Sequence, residues 1–146
     1  MPETEMRLEM KGIVFFGALT AFLLLLHGPD EIARGAAAQN YASVGVGPAI
    51  LFLILLLTLY AFGVGWSWKD RKLGYVIVLV LSPIAFLRFL FHTFTSAPGM
   101  SLEAIATGYT SEAIGVFFVY IYMAFGLTSL ITFILTLYIL AVHKRE

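Results

Sequence analysis

Cysteine is absent from the chain, which removes disulfides, thiol nucleophiles, iron–sulfur clusters and Cys-ligated zinc from consideration. Charge is scarce as well: 12% of residues are Asp, Glu, Lys or Arg, against roughly 25% in an ordinary soluble domain. A fold surrounded by water would lack polar groups for its surface, so the solvent is largely lipid. An excess of either sign is also missing, because Lys plus Arg and Asp plus Glu are nine each. That argues against nucleic acid as a partner, since phosphate binding draws on surplus cations. No Gly-x-Ser-x-Gly elbow is present, and Gly45-Val46-Gly47 lacks the strand and lysine of a phosphate loop. The sequence leans away from an enzyme without deciding the question.

What fills the sequence instead is apolar: 60% of its residues are hydrophobic. They gather in four runs, Gly12 to Leu26, Pro48 to Trp66, Leu73 to Phe94 and Ile114 to Val142. A helix crossing a hydrocarbon core roughly 30 Å thick needs about 20 such residues. The expected fold is an all-α integral membrane protein, one domain over residues 1–146, with four transmembrane helices in an up-down bundle. The spans fall at about 9–28, 46–66, 73–95 and 112–142. The first is the shortest and, with Gly28-Pro29 and Ala36-Ala37-Ala38 behind it, resembles a cleavable leader. Its flank argues otherwise, because Glu3, Glu5 and Glu9 outnumber Arg7 and Lys11 where a leader is positive.

Lys and Arg set orientation, being retained on the cytoplasmic side. Arg7 and Lys11 precede the first span, Lys69, Arg71 and Lys72 fill the turn between the second and third, and Lys144 and Arg145 close the chain. Only Arg34 lies on the opposite side, with Arg88 set aside inside a span. Both termini are expected in the cytoplasm, in a multi-pass protein of the cell membrane. Trp66, Trp68, Tyr75 and Tyr138 near the basic side, and Tyr41 and Tyr109 on the other, fit aromatic belts.

Short interfacial helices are expected in both outer loops. Pro29-Asp30-Glu31 suits a helix start continuing through Ala38, and Ser101 caps a turn that Gly108 ends. The fourth span is expected to start at a Thr110 or Ser111 cap, with Glu112 in its first turn. Gly17 with Ala21 and Ala61 with Gly65 are candidate sites of close helix approach. Thr128, Thr132 and Thr136 form a stripe whose hydroxyls are expected to bond one turn back. Pro83 is expected to kink the third span.

The candidate polar site is Arg88 and His92, one turn apart on the third span, with His27 at the outer end of the first and Glu112 as the carboxylate partner. Glu103, Asp30 and Glu31 are alternative partners. Arg88 lies about 24 Å along the helix from Lys72, near the outer boundary, where it can snorkel into headgroups. His143, beside Lys144 and Arg145, reads as a basic anchor. No HxxxH or carboxylate-rich spacing marks a metal site, and no cofactor is called for, although His27 and His92 could sit at the depth a heme would need.

The leading expectation is a non-catalytic accessory or structural subunit that packs against membrane lipids, larger membrane subunits or itself. A subunit binding heme or quinol through His27, His92 and Arg88 is the redox alternative. A small transporter or channel, with Pro83 and an Arg88 to Glu112 pair as its polar path, is the third.

Overall fold

A computed structural model describes residues 3–96 and 100–142, with side chains from Leu8 onward. The side chain of Arg7, together with His143, Lys144 and Arg145, lies outside the described residues. The chain is all-helical: α1 (Glu3–Ala37), α2 (Gly47–Trp68), α3 (Lys72–Phe94), the short α4 (Leu102–Thr107) and α5 (Glu112–Val142). Four of these, all but α4, are long and apolar enough to cross a membrane. In the four-helix body α1 packs on α2 and α5, α3 packs on α2 and α5, and α4 sits against α5.

One expectation is overturned at the end of the first span. The helix does not stop at residue 28 to restart as an interfacial helix; α1 runs unbroken through Pro29 to Ala37. Proline removes one backbone donor but is tolerated in membrane helices, where neighbouring groups satisfy the freed carbonyl. α1 ends where Gln39 takes a left-handed backbone, φ 59°. There Asn40 N–H donates to Gly35 O at 2.9 Å and Gln39 N–H to Ala36 O at 3.0 Å, a Schellman closure. The same closure ends α2, with Asp70 at φ 52° and Arg71 N–H on Trp66 O at 2.9 Å. The Asp70 carboxylate in turn accepts from the Tyr75 hydroxyl at 2.8 Å, tying the turn to α3. The connection between α3 and α5 holds the short helix α4, with Ser101 accepting from Ala104 N–H at 3.1 Å.

The core is built from Ile13 and Leu24 of α1, Tyr60 of α2, Val78 of α3, and Phe125 and Ile139 of α5. Gly17 meets α2 so closely that a Cβ would stand 2.8 Å from Val64. Ala61 and Gly65 are exposed, and nothing approaches Gly65, so that pair makes no helix contact. The threonine stripe bonds backward: Thr132 to Thr128 O and Thr136 to Thr132 O, both at 2.7 Å. Tyr60 and Ser82 share a hydroxyl bond at 2.8 Å, the side-chain bond that joins α2 to α3 in mid-core.

Candidate functional site: a buried carboxylate between three helices

The unbroken α1 carries His27 and Glu31 one turn apart, so both face the bundle. Glu31 is 3% exposed and receives side chains from α3 and α5. Arg88 Nη2 donates to Oε1 at 2.5 Å and its Nε to Oε2 at 3.1 Å, a two-pronged grip that suits the planar guanidinium. His92 Nε2 stands 3.2 Å from Oε1. The Tyr122 hydroxyl donates to Oε2 at 3.1 Å. Three side chains thus make four contacts to the carboxylate, about the number an ionised one can accept.

Each ring nitrogen of His92 has an oxygen neighbour. Its Nδ1 lies 2.6 Å from the carbonyl of Met100, and its Nε2 faces Glu31. Both neighbours are acceptors. A neutral imidazole has one N–H and can satisfy only one of them, whereas an imidazolium satisfies both.

His27 is fully buried beside it, its ring 4.5 Å from that of Tyr122 and 4.3 Å from that of Phe125. Its Nδ1 donates to Leu23 O at 2.7 Å, so Nε2 carries a lone pair, and that atom has no hydrogen-bond partner. A second layer lies toward the loops. Arg34 and Asp30 pair at 2.8 Å one turn apart on α1, and the Tyr109 hydroxyl, on the α4–α5 connection, donates to the other Asp30 oxygen. Burial, then the bond to Asp30, pushes the Tyr109 phenol up to about 12. Stacking on Phe118, with ring planes 2° apart, fixes its aim.

Of the expected site residues, Arg88, His92 and His27 converge, and Glu112 does not join them. Glu112 opens α5 on an exposed first turn, where its charge suits the helix dipole. The carboxylate that Arg88 grips is Glu31, because α1 continues past Pro29 and carries it inward. Arg88 accordingly turns inward to that carboxylate, with 26% of its side chain open to the surroundings. Tyr122 was not among the expected residues; nothing in its local sequence distinguishes it from the other tyrosines. His92 offers no free nitrogen to a heme iron, since both are engaged, and only His27 keeps a lone pair. Among the described residues, no three His, Cys, Asp or Glu side chains group as a metal site. No family model matches the chain, and neither does any curated protein or solved structure.

Proposed function

We propose that this protein is a small proton-handling transporter of the cell membrane, in which the Glu31–His92 pair takes up and releases the transported proton. The observation that carries the reading is His92, whose two ring nitrogens face the Met100 carbonyl and the buried Glu31 carboxylate inside the bundle. Stability alone gives little reason for such a centre, because well-packed apolar residues generally serve a bundle as well as a buried ion pair does. Ionisable groups inside a membrane bundle mark ion and proton pathways. The accessory-subunit expectation draws on a scarcity of polar machinery, and the Glu31 centre supplies that machinery.

The accompanying topology is an up-down bundle of four crossings with both ends cytoplasmic. Gly17 beside Val64 and Gly28 beside Leu53 support opposed directions for α1 and α2. The one-sided distribution of Lys and Arg supports the orientation. The test is proton entry into liposomes under an imposed potential, read by a trapped pH dye. The wild-type protein acidifies the lumen, while Glu31→Gln and His92→Gln variants fall to the rate of empty liposomes. Wild-type flux equal to that of empty liposomes would overturn the proposal.

A second reading, quinol binding, is favoured by the bare Nε2 of His27, a buried acceptor suited to a hydroxyl donor. It expects a water-soluble quinol analogue to quench Tyr and Trp emission saturably and His27→Phe to abolish the effect; quenching retained in His27→Phe sinks it.

A further inference from the structure

A groove of about 430 Å³ runs along the outer face of α1 at the end of the bundle opposite to Glu31. Its floor and walls come from Val14, Phe15, Ala18, Leu19 and Phe22, and its mouth from Lys11 and Trp68 at the end of α2. Phe15, Phe22 and Trp68 are 63%, 53% and 65% exposed, so the described residues do not close it. Ala18 supplies the depth, a small side chain between two phenylalanines on one helix face.

Length and charge identify the occupant. From Lys11 to Phe22 is eleven residues, about 16 Å of helix, which matches half of a roughly 30 Å hydrocarbon core. The groove is therefore one leaflet deep. Lys11 is the charged residue of the lining and lies at the mouth, beside Trp68; the turn after Trp68 adds Lys69, Arg71 and Lys72 against one carboxylate, Asp70, which is bonded to Tyr75. A helix from another protein would cross the whole membrane and would call for no cation at one end. We propose that this groove holds one acyl chain of an anionic phospholipid, with its phosphate on Lys11 and the Trp68 indole at the headgroup boundary. The proposal is independent of proton transport and needs only that α1 and α2 lie in a bilayer.

The test uses Trp68 as reporter in a Trp66→Phe background of the full chain. The protein is reconstituted in vesicles containing a small fraction of brominated phosphatidylglycerol or brominated phosphatidylcholine. The brominated anionic lipid quenches Trp68 at about one fifth of the fraction that the zwitterionic one requires, the selectivity expected for one lysine at an interface. Lys11→Gln removes that preference, and Ala18→Phe, which fills the groove while leaving the charge, weakens quenching by both lipids. Equal quenching by the two lipids in the parent overturns the proposal. So does a preference that survives Lys11→Gln, which would move the site to the 69–72 turn. Quenching by neither lipid, with crosslinked dimers through α1, would assign the groove to a second copy and overturn it as well.

Discussion

Replacing Glu31 by Leu leaves three side chains without their acceptor at once, and the Tyr122 hydroxyl is one of them. Arg88 keeps a guanidinium with its two-pronged partner gone, and His92 keeps a ring nitrogen facing nothing. Removing one member of a buried ion pair costs roughly 3–5 kcal/mol. Arg88 is 26% open and can turn partly outward, so Glu31→Leu falls near the lower end, about 3 kcal/mol. Arg88→Leu leaves a carboxylate that is only 4% exposed, still bonded by His92 and Tyr122, and about 4 kcal/mol is expected. The double variant, Glu31→Leu with Arg88→Leu, removes both charges together. Apolar replacement of a whole buried pair is often close to neutral, so the double variant returns to within about 2 kcal/mol of the parent. Independent losses would instead add to roughly 7 kcal/mol. The assay is reversible unfolding in mixed micelles, followed by helix content against the fraction of denaturing detergent. A double variant as unstable as the sum of the singles, or a Glu31→Leu protein with the parent's midpoint, would refute the reasoning. The same double variant separates stability from the proposed function, which expects a folded protein without proton entry into liposomes.

The phenol of Tyr109, held up to about 12 by burial and its bond to Asp30, makes folding stability depend on alkali. A raised folded value means the contribution is intact below the ordinary phenol range near 10 and is lost as pH climbs from there to about 12. Melting temperatures of the parent should therefore fall more steeply across that window than those of Tyr109→Phe; parallel curves would contradict the bond. Gly115 packs against the backbone carbonyl of Ala106 with no room for a Cβ, so Gly115→Ala pushes α4 off α5 at a cost of about 1–3 kcal/mol, measured in the same micelle titration. Tyr60→Phe removes the hydroxyl bond to Ser82 in mid-core and costs about 1 kcal/mol; an unchanged midpoint would mean the bond contributes nothing.

The helices were legible because the signals behind them are local and redundant. Four apolar runs became four helices, and Ser101 and Gly108 bounded α4, since capping chemistry is written in a few adjacent residues. The site was legible by half. Arg88 and His92 share a face by spacing alone, and His27 lies at matching depth. Its centre was missed because Gly28-Pro29 reads as a stop, which sends Glu31 into a loop helix. The missed signal is the four-residue step from His27 to Glu31, which puts both on one face if the helix continues. Glu112 is the partner the sequence suggests, but a first-turn carboxylate is already served by the helix dipole and has no need to turn inward. Tyr122 depends on which face of α5 meets α1 and α3, and α5 has apolar residues all round.

The four long helices are unequal. α1 and α5 have 35 and 31 residues, about 52 and 46 Å of helix, whereas α2 and α3 have 22 and 23, close to one hydrocarbon thickness. A bundle with two long and two short members cannot match any single membrane along its whole girth, so the local thickness decides how far its ends stand in the headgroups. Glu31 sits in the last two turns of α1, the longest of the four. A thinner membrane would leave it nearer the aqueous boundary and a thicker one would draw it into hydrocarbon, making lipid thickness itself a control on when the carboxylate meets water.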